Sequence, residues 1–220
     1  MDAIECIRTR TSTRRFTTEP VSKVLLKDII EIAQRSPSYR NCQPWEVVVV
    51  SGEKREALSA LLIHLAEKGE VPKPDIPAPQ SWPEDIQKRM ESHIKKKAEY
   101  SGLNMTDPDY MKNKLIANFR FYGAPHAIFL FQDSSLSNWQ ILDMGMFAQS
   151  LMLAAHSKGL GMIPQVYLTY YPSDVKKFLQ VPESKRLVLG LSIGYPDPKE
   201  RVNKYRSNRV AVSQIVKWIE

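Results

Sequence analysis

Between Ile141 and Ser157 the chain is apolar on nearly every side. Ile141, Met144, Ala148, Leu151, Met152 and Ala155 fall on one helical face, while Leu142, Phe147 and Leu153 point elsewhere. A surface helix keeps a polar face, so a helix of this kind must be covered all round. It lies either at the centre of a domain or against a second subunit. Gly159-Leu160-Gly161 stops it.

The remaining segments read as partners for that helix. Asp2-Ala3-Ile4-Glu5 forms a capping box for a short helix through about Arg8. Ser22 caps a second helix, with Leu25, Ile29, Ile32 and Ala33 as its stripe, and Pro37 ends it because the residue before a proline is pushed out of the helical region. Trp45–Val50 is a β-branched run fit for a strand covered on both faces, and residues 53–68 return to helical spacing up to Gly69. Val71–Pro83 holds five prolines in thirteen residues, which forbids a regular helix or a central strand. It leads into a charged accessory helix, Glu84–Tyr100, so the excursion spans about 70–102. Asp109–Phe121 reads as helix, His126–Gln132 as a second buried strand, Ser173–Leu179 as a short helix and Arg186–Gly194 as a third strand. Helices and strands alternate without a strict βαβ beat, which makes the class α+β, one domain over residues 1–220.

Bulk properties narrow the function only slightly. The 31 basic and 24 acidic side chains give a formal charge of +7, suited to phosphates, nucleic acid or an acidic membrane face. Lys95-Lys96-Lys97 reads as a solvated face, since no aromatics interleave with it for base stacking. Cys6 and Cys42 form no CxxC pair, so neither a disulfide framework nor a zinc site is suggested and a reducing cytoplasm fits. No apolar run nears the roughly 18 residues of a membrane span, and the N-terminus lacks a signal-peptide layout.

Two polar stretches carry the candidate chemistry. Residues 8–16 hold four arginines (Arg8, Arg10, Arg14, Arg15) and four hydroxyls (Thr9, Thr11, Ser12, Thr13), closed by Phe16. Guanidinium forks and short hydroxyls can together hold a dianion; the same composition also serves a solvated basic surface. The second stretch, Pro37-Ser38-Tyr39-Arg40-Asn41-Cys42-Gln43-Pro44-Trp45, is a connection rich in amides and hydroxyls between two rigid elements.

Familiar catalytic motifs fail. Gly190-Leu191-Ser192-Ile193-Gly194 matches GxSxG, but strand alternation runs straight through Ser192 and the last histidine, His156, precedes it. Gly159-Leu160-Gly161-Met162-Ile163-Pro164 puts proline at the third glycine of GxGxxG and follows a helix. His64, His93, His126 and His156 have no ligand spacing, so no metal is expected.

Four segments, in order over about residues 4–210, resemble the FMN-dependent nitroreductase family. They are Arg10-Thr11-Ser12-Thr13-Arg14-Arg15-Phe16, Pro37–Trp45, Asp143-Met144-Gly145 with Gly159-Leu160-Gly161, and Gly194-Tyr195-Pro196 with Asn203 and Arg209. The resemblance implies a central mixed or antiparallel sheet flanked by helices, in an intertwined homodimer with two FMN sites shared between subunits. Arg10, Ser12 and Arg14 would meet the phosphate and ring edge, assisted by Thr11, and Arg209 would complete the clamp. Pro37, Ser38 and Asn41 would come from the partner chain, with Gln43 bracing their loop. The backbone at Ile163, Pro164 and Gln165 would lie beside the reactive edge of the ring.

The activity implied is ping-pong transfer from NADH or NADPH to a small aromatic acceptor, a nitroarene or quinone, with no protein acid or base required because the flavin carries the chemistry. Alternatives are same-fold dehalogenation or flavin breakdown, and a basic nucleic-acid-binding module using Lys95–Lys97. Tyr39-Arg40 departs from many relatives and predicts a bulkier, more cationic rim favouring anionic acceptors such as nitrobenzoates. Met162 and Ile163 also depart from the common pattern. Tyr39, Arg40, Phe119 and Tyr122, with Trp82 and Tyr100, are the candidate pocket residues, and the 70–102 segment the candidate cover.

Overall fold

The computed structural model describes all residues 1–220. Helix α1 (Ala3–Thr9) starts where the Asp2 carboxylate accepts from the Glu5 amide at 2.9 Å, and α2 (Lys23–Ala33) where Ser22 Oγ accepts from Leu25 at 3.2 Å. Both caps satisfy amides that a helix start leaves without partners. The α2 stripe is turned one position from the expected one: Leu26, Ile29 and Ala33 are buried and Ile32 is 42% exposed. Adjacent Leu25 and Leu26 make either register compatible with an apolar face.

Four strands, β1 (Glu46–Ser51), β2 (His126–Asp133), β3 (Gly161–Gln165) and β4 (Lys185–Gly194), form one sheet in the order β1-β2-β4-β3. Every neighbouring pair is antiparallel. The strand β2 is buried along almost its whole length, and its side chains divide by the two-residue period between two cores. Ala127, Phe129 and Phe131 meet α3 (Gly52–Glu67), α5 (Tyr110–Phe119) and α7 (Pro172–Leu179) through Leu58, Leu62, Phe119 and Val175. Ile128 and Leu130 meet α2 and α6 (Asn138–Ser157) on the other face.

Strand β3 is absent from the sequence-based expectation, which took Gly159–Gly161 as a stop and counted three strands. Five residues with a proline give too weak a pattern, yet the position explains them. As the edge strand, β3 pairs inward with β4 and offers the Met162 carbonyl outward, where the Thr13 amide donates to it at 3.0 Å. Pro164 shares the parity of Met162, so its missing N–H falls on the outer edge where no ladder bond is lost.

Helix α6 starts at a Ser137–Gln140 capping box and buries Met144, Phe147, Ala148, Leu151, Met152 and Ala155. It is not central to the single chain. Trp139 is 70% and Leu142 58% exposed, and with Pro37, Ile141 and Met146 nearby they leave an apolar strip open along its outer side. The proline-rich excursion lies against the body: Asp75 accepts from the Leu187 amide at 2.8 Å and the Lys73 amide donates to the Tyr170 carbonyl at 2.9 Å. Beyond it, α4 (Glu84–Ser101) packs on the turn Arg201–Lys204 of the tail. No helix is long and apolar enough to cross a membrane.

Candidate functional site

The arginine loop is held flat against β3. Ser12 forms a parallel bridge with Met162, Phe16 an antiparallel one with Pro196, and the Thr17 amide donates to the Tyr195 carbonyl at 2.9 Å. Approach at Gly161 is close enough that a Cβ there would overlap Thr13 Oγ1 and lie 2.8 Å from Pro196 Cγ. Only hydrogen fits between strand and loop.

Asn203 joins this loop to the tail. Its Oδ1 accepts from the backbone amides of Arg14 (2.8 Å) and Arg15 (3.2 Å), and its Nδ2 donates to the carbonyls of Arg15 (2.8 Å) and Asp197 (3.0 Å). The tail also brings Arg209 towards Arg10. Burial lowers the Arg10 pKa and the Arg209 charge lowers it further. Arg14 is more deeply set; burial lowers its pKa, and the neighbouring Tyr122 and Tyr205 phenols act in the opposite sense. None of Arg10, Arg14 or Arg209 takes part in an ion pair with a carboxylate. Cations gathered at a cost in desolvation, without anionic partners, form a donor set complementary to a phosphate.

Flanking groups share this electrostatic setting. His156 Nε2 lies 2.8 Å from Thr9 Oγ1, and burial, then Arg10 and Arg206, lower its pKa. His93, on α4, is 3.3 Å from the Tyr205 hydroxyl; burial, then Lys97, Arg14 and Arg209, keep it towards the neutral form. Lys97, expected on a solvated face, is turned inward between Arg14 and Lys114. Burial, then those two charges, bring its pKa down to about 8.

The Pro37–Trp45 stretch occupies a different part of the surface. The Tyr39 amide donates to buried Asp143 on α6 at 3.1 Å, Cys42 Sγ lies 3.7 Å from the same carboxylate, and Trp45 stacks on Phe147 at 4.8 Å. The Gln43 amide donates to Ser38 Oγ at 3.0 Å and its Nε2 to the Asn41 carbonyl at 3.3 Å. Arg40, Asn41 and Gln43 have φ of 50°, 58° and 46°, a left-handed backbone that costs energy and is retained here by these bonds. Pro37, Tyr39, Arg40 and Asn41 are exposed, and the Arg40 guanidinium lies 5.4 Å from the ring of Tyr39.

Other sequence-derived candidates fall in varied places. Thr11 and Ser12 are half-buried in the arginine loop, and Ile163 and Pro164 lie on β3, with Pro164 exposed. The Gln165 side chain is committed internally: Nε2 donates to the Asn118 carbonyl at 3.0 Å, and Oε1 accepts from Ser192. That bond and full burial also dispose of Ser192 as a nucleophile. Phe119 is fully buried in the core beside Tyr171, which corrects its reading as a pocket residue. Tyr122 lines a cavity with Arg14; Trp82 is 46% exposed, and Tyr100 packs on Tyr205 and beneath Arg201. Among functional candidates, sequence reasoning missed Lys97 and the supporting role of Asp143. The spacing His93–Lys97–Ser101, one helical face shared with Ile94 and Ala98, is the signal for Lys97.

The fold is α+β, and the arginine loop, its hydroxyls and the β3 edge together form a donor set of the kind that suits a phosphate. The Nitroreductase family model matches residues 7–195. A 4-nitrobenzoate reductase of Pseudomonas putida is 36% identical over 207 residues, covering 92% of this chain and 89% of that protein. Nitroreductase NfnB of Mycolicibacterium smegmatis is 32% identical, covering 96% and 90%. The crystal structure of the FMN-dependent nitroreductase NfnB from Mycobacterium smegmatis in complex with NADPH superposes with a TM-score of 0.94, at 30% identity, over 99% of this chain and 98% of that one. The chain belongs to the nitroreductase family.

Proposed function

We propose that this protein is an NAD(P)H-dependent FMN oxidoreductase that reduces nitroaromatic compounds and works as a cytoplasmic homodimer of one-domain chains. The observation that carries this reading is the group of arginines, Arg10, Arg14 and Arg209, held without carboxylate partners beside an edge strand in a nitroreductase-family fold. The residues fit FMN by the chemistry of their donors. Arg10 and Arg209, with Ser12 and Thr11, suit the phosphate; Arg14 suits the ring edge; the outer edge of β3 at Pro164, flanked by Ile163 and Gln165, suits a place beside the reactive edge of the ring. Bound FMN supplies the hydride and electron transfer, and the chain supplies orientation and charge. NADH or NADPH and the aromatic acceptor use one pocket in turn.

Two observations support a shared site. Asp143, which anchors the Pro37–Trp45 loop, and His156, which touches the arginine loop through Thr9, are thirteen residues apart on α6, about 20 Å at the rise of a helix. The two halves of the donor set therefore lie towards opposite ends of one helix, which favours a partner chain supplying Pro37, Ser38 and Asn41. The open strip of Trp139, Leu142 and Met146 gives that partner an apolar surface to cover, and obligate interfaces are apolar. The bonds made by Gln43 support its role as a brace.

Purified protein is expected to be yellow, to release FMN on heating, and to oxidise NADH or NADPH when a nitroarene is added. A colourless protein, or a flavoprotein inert towards every nitroarene with both nicotinamides, refutes the proposal.

A further inference from the structure

Beside the arginine loop, a cavity of about 280 Å³ opens between the end of α4, α5 and the Glu200–Val202 turn. Its wall includes Arg14, Arg15, Lys97, Lys114 and Arg201 against a single carboxylate, Glu200. None of these cations is in an ion pair, and Ser101 Oγ, shut away from solvent on the same wall, has no hydrogen-bond partner. Leu103, Tyr110, Ala117 and Tyr122 supply apolar surface. The site is thus strongly positive, with apolar surface beside the cations. Cations gathered without carboxylate partners beside apolar surface point to an anion that brings its own ring.

We propose that this cavity is a carboxylate subsite: the ammonium groups of Lys97 and Lys114 take the acid group of an anionic aromatic acceptor whose ring adjoins Arg14 and Tyr122. The inference rests on the proposed nitroreductase activity and adds a substrate class to it. A lysine pair is suited to the task because each ammonium can turn its donors to a carboxylate arriving at different angles, whereas Arg14 is fixed by its bond to the Ser12 carbonyl at 3.1 Å.

The geometry also gives the subsite a pH response. Lys97 is faced by Arg14 from the loop, by Lys114 from α5 and by His93 on its own helix, with Arg15, Glu200, Arg201 and the phenols of Tyr110 and Tyr122 on the cavity wall. Its charge is present below about pH 8 and is lost as the pH rises through that value. Binding of a carboxylate raises the Lys97 pKa, and by linkage the preference for an anion weakens in the alkaline range.

The test uses the FMN-loaded homodimer and compares kcat/KM for 4-nitrobenzoate with that for its neutral relative 4-nitrobenzamide. The ratio, acid over amide, is expected to fall about tenfold in Lys97→Met and in Lys114→Met. In the parent enzyme it falls as pH rises through about 8 to 9; in Lys97→Arg it stays high and flat across that range, because a guanidinium does not titrate there. A ratio unchanged within twofold in both methionine variants, with FMN content and Tm kept, overturns the inference. So does a ratio that collapses in Arg40→Ala while holding in Lys97→Met, which would assign the acid group to the Pro37–Trp45 loop. Failure of the underlying activity looks different: neither compound then supports NAD(P)H oxidation in the parent enzyme.

Discussion

Replacing Asn203 by alanine removes the side chain that ties the arginine loop to the tail without replacing any residue assigned to the cofactor. Four hydrogen bonds of 2.8 to 3.2 Å are lost. At roughly 0.5–1.5 kcal/mol each the gross loss is about 2–6 kcal/mol, but the site is half-exposed and water takes over part of it. A net destabilisation of about 1–2 kcal/mol follows, which for a chain of this size lowers Tm by roughly 2–8 °C. The effect on the cofactor is separate. With their amides released, Arg14 and Arg15 must be reordered when FMN binds, at about 1 kcal/mol per residue. Some 2 kcal/mol is about a 30-fold weaker Kd. Titration of FMN into apoprotein, followed by flavin fluorescence, measures the Kd, and thermal melts of apoprotein measure the stability. Asn203→Asp keeps an acceptor for the Arg14 and Arg15 amides but gives up both donations, so its Kd is expected between the other two. An alanine variant with the parent Kd and a lowered Tm refutes the claim that Asn203 positions the cradle.

Gly161→Ala forces the arginine loop off β3, because the added Cβ overlaps the Thr13 side chain and meets Pro196; a cost of about 1–3 kcal/mol and weakened FMN retention on gel filtration are expected, whereas unchanged retention would mean that the loop can yield freely. Leu142→Glu sits on the open strip, so it should leave the monomer's stability within about 0.5 kcal/mol yet split the homodimer and release FMN; light scattering that still reports a flavin-loaded dimer counts against that interface. Asp143→Ala leaves the Tyr39 amide without its acceptor and the left-handed turn at Arg40–Asn41 less supported, so proteolysis within residues 37–45 should accelerate while Arg10–Arg14 remain protected.

The sequence signals that proved reliable were those with a local cause. Asp2 and Ser22 cap where their side-chain oxygens sit one turn ahead of apolar periodicity, and the run Ile128–Phe131 is buried on both faces; the similar run Val47–Val50, expected to be covered on both faces, lies on an edge strand and leaves Val49 38% exposed. What stayed hidden depended on distant partners. Strand β3 exists because β4 is beside it and Thr13 takes its outer edge, facts that a five-residue segment with a proline cannot announce. Lys97 looks like its neighbours Lys95 and Lys96 until α4 is laid on the Arg201–Lys204 turn, which turns one lysine of the three inward. Phe119 and Tyr122 are both aromatic near one end of α5, but Phe119 enters the core while Tyr122, at φ of 53°, faces the cavity. The arginine loop stood out by its composition at residues 8–16, whereas Arg209 entered as a candidate through family resemblance. The wiring of the site through Asn203 and Asp143 was legible only as family resemblance.

The central claim is a flavin site built from the arginine loop of one chain and the Pro37–Trp45 loop of the other. Mixed dimers, in which one subunit carries Arg14→Ala and the other Asn41→Ala, test it directly, with FMN binding measured by titration. The account expects biphasic binding in which half of the sites keep the parent affinity and half bind far more weakly, because both substitutions fall in the same site. A single class of equally weakened sites would contradict it.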